Sequence, residues 1–227
     1  MYGGAKVTTP LECAERWVAW NKPPGIPVFP PHADPAGDCL LARIGRDDVA
    51  WPVGFEGGIA HRLDTPTSGQ LLAARSPADL DWLRNLFRTR QLRKVYRFVS
   101  YGQVAWDEHR VDTPIAHDKR KRSKMLVQRG KNTPHRGKWY PAHTEFRRLS
   151  MLQGGGALWE AVITTGVMHQ IRVHAAWVGI PLHGDKRYGG GDPVEANVPF
   201  FLHHVGLSGP GLQPQAAPVP DFWPISE

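Results

Sequence analysis

A chain of 227 residues, 41% of them hydrophobic, is long enough to bury a full core and falls in the length range of one large domain. Its 10% aromatic and 22% charged residues exclude a largely disordered chain, while 24 Gly and 21 Pro promise many loops. Lys and Arg outnumber Asp and Glu by 28 to 21, a formal charge of +7 that favours polyanionic partners, nucleic acid first among them, because each phosphate rewards a neutralising cation.

In chain order, apolar Trp17 to Trp20 breaks at Asn21-Lys22-Pro23-Pro24-Gly25, which predicts a short strand running into a shaped turn. Pro27 through Asp38 reads as an irregular surface loop, and Leu40, Leu41 and Ile44 as a short helix. After Gly57-Gly58, two strand-like runs, Ile59 to Asp64 and Gln70 to Arg75, flank the polar loop Thr65 to Gly69. Ser76-Pro77-Ala78-Asp79 then places an N-cap, a proline and an acid before Leu80, Leu83, Leu86 and Phe87 at helical spacing.

Val95 to Tyr101, aromatic and β-branched and stopped by Gly102, is a strand, and Leu158 to Thr164 another. Between them Lys119-Arg120-Lys121-Arg122-Ser123-Lys124, with Arg129, Lys131, Arg136 and Lys138, shows little apolar periodicity and reads as a basic, mobile segment. His169 to Val178 has helical spacing, with Gly179 and Pro181 as its stop, and Gly209 to Pro224 reads as an extended tail pinned by Phe222 and Trp223. Met1 to Lys6 lacks an apolar leader core and no stretch approaches the roughly 20 apolar residues of a membrane span, so a soluble cytoplasmic protein is expected. Cys13 and Cys39 match no metal or redox spacing and read as incidental thiols.

The segment richest in chemistry is His61-Arg62-Leu63-Asp64-Thr65-Pro66-Thr67-Ser68-Gly69. Strand alternation would send Arg62 and Asp64 to one face, joining a phosphate-binding cation to a carboxylate. Taken alone, Asp64 reads first as a cap on the following Thr-Pro turn, and Tyr96 as a core residue of its strand. The histidines at 169, 174, 183, 203 and 204 raise a metal site, but His169 and His174 are five apart rather than the four that would put two ligands on one helix face.

His-Arg-Leu-Asp followed by Thr-Ser-Gly resembles the catalytic signature of the RluA-type pseudouridine synthases. Three further segments resemble that family in order: Asn21 to Gly25 its opening loop, Lys94-Val95-Tyr96 with Gly102 its Lys-x-Tyr strand, and Gly166 to His174 with Gly179 to Gly189 its third block. Leu202-His203-His204 and Ala217 to Pro220 resemble its closing segments, so the likeness spans roughly residues 17 to 221. Thr65-Pro66, Val167, Phe98 and Ser100 depart from its commoner choices.

The resemblance implies an α+β fold with a largely antiparallel, mixed central sheet, flanking helices and loops, and a central RNA-binding cleft. It implies isomerisation of a uridine in structured ribosomal or transfer RNA to pseudouridine, without metal, cofactor or nucleotide, by a monomer. Asp64 would be the essential carboxylate, acting as nucleophile or base, Tyr96 would stack on the uracil, and Arg172 would pair with Asp64 to keep it ionised and aimed. Arg62 would fill the space left by the flipped base, with His61, Lys22, Lys119, Arg120, Lys121, Arg122 and Lys124 as further RNA contacts and Leu63 and Ile171 lining the pocket. Residues 17–208 would form the catalytic domain, 1–16 an extension and 209–227 a Pro-rich tail packing on the domain or trailing it. About 20 residues precede the opening loop, too few for the small RNA-binding domain many relatives carry there, which leaves substrate choice to the catalytic domain or a partner. A catalytically silent RNA-binding protein and a metal-dependent nuclease built on Asp64 are the rival readings.

Overall fold

The computed structural model describes residues 9–34, 37–44, 55–194 and 198–224. In chain order the strands are β1 Glu12–Cys13, β2 Trp17–Lys22, β3 Ser68–Ala74, β4 Arg93–Ser100, β5 Glu108–Val111, β6 Ile115–Asp118, β7 Met125–Val127, β8 His135–Tyr140, β9 Thr144–Met151, β10 Ala157–Ile163 and β11 Leu202–Ser208. The helices are α1 Leu40–Arg43, α2 Pro77–Arg88 and α3 Gln170–Trp177. Length alone favours one compact unit, whereas the chain clusters into two, Met1–Leu92 with His203–Asp221, and Arg93–Leu202 with Phe222–Glu227.

In the first unit the strand order is β1-β2-β3-β11, antiparallel except where β11 runs parallel to β3. Alternation sorts the buried strand residues onto two faces. Trp17, Ala19, Leu72 and Ala74 pack with Leu80, Leu83 and Leu86 of α2, while Val18, Trp20, Leu71 and Ala73 pack with Val28 and Leu40 on the other side. Helix α2 starts as its sequence dictates, with Ser76 Oγ accepting from Asp79 N at 3.2 Å and donating to the Asp79 carboxylate at 2.6 Å. The parallel pairing of β3 with β11 requires Gly69, at φ +115°, because a Cβ there would lie 2.1 Å from the His204 carbonyl oxygen.

Two expectations are corrected by the fold. Residues 60–64 are not a strand: Ile59 forms an isolated bridge with Ala73, and pairing then gives way to the His61 side chain, whose Nε2 accepts Leu72 N–H at 3.1 Å. Alternation therefore cannot be what orients Arg62 and Asp64. The loop 27–38 is not all surface, since Val28 is buried. Of the tail expected to pack on or trail the domain, Leu212 and Ala217 are buried and Ala217 N–H donates to Val205 O at 2.7 Å. Of the proposed extension, residues 1–8 lie outside the described ones, and Leu11 N–H already pairs with Ala19 O at 2.8 Å.

The second unit holds the antiparallel order β4-β10-β9-β5 and a three-stranded antiparallel sheet β7-β6-β8. Trp159, Ala161 and Ile163 of β10 form a core with Phe98, Phe146, Ile171 and Ala175. The segment expected to be mobile is this small sheet: Ile115, Met125 and Val127 bury against Val173 of α3 and Tyr188, a two-residue periodicity too short to stand out among the basic residues. Trp223 is buried, 5.2 Å from the Phe201 ring, while Phe222 is half exposed.

Helix α3 begins without a side-chain cap from His169, which has a left-handed φ of 57°. Gln170 takes over, its Oε1 accepting Val167 N–H at 3.2 Å and Thr165 O–H at 2.9 Å. Its amide donates to Thr144 Oγ1 at 3.1 Å, Thr144 donates to His174 Nδ1 at 2.8 Å, and His174 Nε2–H donates to Thr113 O at 2.9 Å. That one-way chain fixes a neutral His174, and burial lowers its pKa to about 4. The native state therefore binds fewer protons than the unfolded chain from pH 6.5 down to about 4, so this group's contribution to stability is lost as pH falls through that window, on the order of 3 kcal/mol in all. Denaturant unfolding from pH 7 to 4 should show a slope that His174→Asn flattens; equal slopes in both proteins would refute the assignment.

Candidate active site

In the first unit Asp64 opens a tight turn, its carbonyl accepting Thr67 N–H at 3.0 Å. The next residue is clamped: Thr65 O accepts Gly25 N–H at 2.9 Å and the Lys22 ammonium at 3.1 Å. Lys22 Nζ donates also to Pro23 O at 2.9 Å and Ile26 O at 2.8 Å, so three carbonyls take up the three ammonium donors. The Asn-Lys-Pro-Pro-Gly loop is thereby the platform on which the Asp64 turn is built. Lys22, expected as an RNA contact, is 0% exposed and cannot be one; its stem is drawn inward because β2 ends in the interior and the prolines turn the chain over it. Burial pushes its pKa down to about 7, and the charge of Asp64 pulls it partly back up.

Around this turn Leu63 is buried, Asp64 partly buried and Arg62 exposed. His61 is occupied as a support: besides holding Leu72 N–H, its ring lies 4.9 Å from Phe87 and edge-on to His204 at 5.8 Å. Lys22, His61, Leu63 and Asp64 are thus brought together locally, with Arg62 the member turned to solvent.

In the second unit Tyr96 lies on β4 opposite Ala161 of β10, half buried against the core that contains Ile171. Arg172 on α3 is 6% exposed and makes a bidentate pair with Asp185, Nε to Oδ2 at 2.6 Å and Nη2 to Oδ1 at 2.9 Å. Its guanidinium lies over the Phe200 ring at 4.4 Å and the Tyr188 ring at 5.1 Å. Asp185, itself 2% exposed, is the partner of Arg172 that the sequence does not single out, although Gly184-Asp185-Lys186 lies within the segment Gly179 to Gly189. Only the fold shows that its carboxylate is buried and aimed at an arginine.

Lys119, Arg120, Lys121 and Arg122 form the exposed tip between β6 and β7, and Lys124 returns over the Tyr188 ring at 5.5 Å. The tip is shaped by the Asp118 carboxylate, which accepts Arg120 N–H at 2.7 Å and Lys121 N–H at 3.0 Å; those bonds hold it below the usual carboxylate range. The histidines have protein partners: His169 Nδ1 meets Tyr188 Oη at 2.9 Å, His203 Nδ1 meets Ser68 Oγ at 2.9 Å, and His204 Nδ1 donates to Gln70 O at 2.6 Å. Among the described residues no group of three or more His, Cys, Asp or Glu could hold a metal, and no helix is long and apolar enough to cross a membrane.

Comparison with known proteins gives a consistent picture. Residues 16–177 match the family model described as RNA pseudouridylate synthase. An uncharacterized RNA pseudouridine synthase of Chloroflexus aurantiacus is 36% identical over 210 residues, 88% of this chain and 62% of that protein. The dual-specificity RNA pseudouridine synthase RluA of Yersinia pestis is 31% identical over 170 residues, 74% of this chain and 75% of that protein. The solved structure of human RNA pseudouridylate synthase domain containing 4 superposes with a TM-score of 0.72 at 25% identity, covering 94% of this chain and 89% of that one. The chain spans about 60% of the length of the first relatives it matches, 62% and 59%.

Proposed function

Because the chain belongs to the RNA pseudouridylate synthase family, with 16–177 inside the family model, we propose that it isomerises a uridine in structured ribosomal or transfer RNA to pseudouridine. The observation that carries the reading is the Asp64 turn: a partly exposed Asp64 on a turn whose next residue, Thr65, is held through its carbonyl by Lys22, preceded by a solvent-facing Arg62. The bond from ribose C1′ to uracil N1 breaks, the base turns, C5 bonds to C1′, and the proton lost from C5 is balanced by one gained at N1. Asp64 serves as nucleophile or base, Tyr96 as the ring that stacks on uracil, and Arg172 as the cation of the set, its orientation fixed by Asp185. The target must be flipped from its stack at a cost of a few kcal/mol, and the exposed guanidinium of Arg62 can take the vacated place. Residues 17–208 act as the catalytic domain of a cytoplasmic monomer.

Support comes from a basic hairpin tip, Lys119 to Arg122, suited to phosphates. Purified protein incubated with bulk RNA from a strain lacking it, in chelator, should generate new pseudouridine at discrete positions. No new pseudouridine in ribosomal, transfer or messenger RNA would overturn the proposal, and cleavage restored by divalent metal would favour the nuclease instead.

A further inference from the structure

A groove of about 1030 Å³ opens in the second unit between the small sheet and helix α3. Cations at 119, 120, 124, 129 and 187 line it against the single carboxylate of Asp118, which is already engaged with two backbone amides. One wall carries Trp177, at the last turn of α3, 45% exposed although it is among the largest apolar side chains of the protein. The Arg129 guanidinium lies 5.5 Å from its ring centroid. The opposing parts of the groove are built rather than loose: Thr133 Oγ1 accepts Arg129 N–H at 2.9 Å and Gly130 N–H at 3.0 Å, Tyr188 Oη accepts Met125 N–H at 2.9 Å, and Arg187 donates to Ser123 O.

An exposed indole set among cations is the combination that binds single-stranded nucleic acid, the ring offering a stacking face indifferent to base identity and the cations neutralising phosphate. A double helix keeps its bases stacked on one another and has none to offer the indole. We propose that this groove is a second RNA subsite, which seats an unpaired nucleotide flanking the modified uridine, its base on Trp177 and its phosphates on Arg129 and Arg187. The inference rests on the RNA-modifying reading above and deepens it. Tyr188 links the two places, its ring carrying both Lys124 of the groove and Arg172 of the catalytic set.

The test is binding of a labelled ten-nucleotide oligoadenylate to the full chain by fluorescence anisotropy. The probe contains no uridine, so no loss of binding can arise from failed catalysis. Trp177→Ala should weaken binding at least about 5-fold, since stacking is worth 1 kcal/mol or more per base, and Trp177→Phe should restore most of it. Arg129→Gln should flatten the salt dependence, whereas Arg147→Gln, the same charge change on an exposed strand residue elsewhere, should not. Trp177→Ala binding as tightly as the wild type, in a protein of unchanged circular dichroism, would overturn the subsite. If pseudouridine still forms in that case, only the groove reading falls; if no pseudouridine forms but the Trp177 effect is seen, only the catalytic reading falls.

Discussion

Asp64→Asn should lower the rate of pseudouridine formation by about two to four orders of magnitude while leaving RNA affinity near that of the wild type. Asparagine has the shape of aspartate and keeps the backbone carbonyl that accepts Thr67 N–H, so the turn survives. What disappears is the negative charge, which is needed equally for attack on the ribose and for removal of a proton. The same change removes the attraction between Asp64 and the buried Lys22, so the melting temperature should fall by a few degrees. Single-turnover mapping of pseudouridine together with a thermal melt separates the outcomes. Full activity in a folded Asp64→Asn protein would remove Asp64 from the chemistry, and Asp64 would then be no more than the start of a turn.

The parts of this molecule that could be read from the chain are those whose cause is local. Ser76, Pro77 and Asp79 specify the start of α2 within four residues, and the aromatic and β-branched run Val95 to Tyr101 specifies β4. The His-Arg-Leu-Asp motif is equally local, which is why Asp64 and Arg62 could be named before any fold was known. The strands β5 to β8 escaped because they are three to six residues long and carry as many polar as apolar side chains. Asp185 escaped because its partner lies 13 residues away across a change of structure, and nothing in Gly-Asp-Lys distinguishes a buried carboxylate from a surface one. Gly69 could be quoted as part of the motif, but its reason, the 2.1 Å approach of the His204 carbonyl, belongs to the pairing of strands more than 130 residues apart. Lys22 is the sharpest case. A lysine between asparagine and two prolines reads as exposed, and its burial depends on carbonyls one, four and 43 residues away converging on one ammonium.

Lys22→Met should therefore behave as a structural lesion at the site and not as the loss of an RNA contact. Methionine matches the length of the stem but leaves the carbonyls of Pro23, Ile26 and Thr65 without their shared donor, which at about 1 to 3 kcal/mol for a buried unsatisfied group gives a loss of roughly 2 to 5 kcal/mol near neutral pH. The pH dependence carries the signature. With the folded pKa at about 7 and the unfolded one at 10.5, the native state binds fewer protons between those values, so wild-type stability should rise with pH across that window, by at most about 1.4 kcal/mol per unit, and stay level below it. The variant lacks that slope, so a wild-type minus variant difference that grows from pH 7 to 9.5 identifies the buried amine. In activity, the Asp64 turn loses the donor that shares Thr65 O with Gly25, so kcat should fall with little change in KM. A surface phosphate contact would do the reverse, raising KM and flattening the salt dependence while leaving stability unchanged. Either of those last results in place of the first pair would return Lys22 to the RNA-binding surface and leave the Asp64 turn without its support.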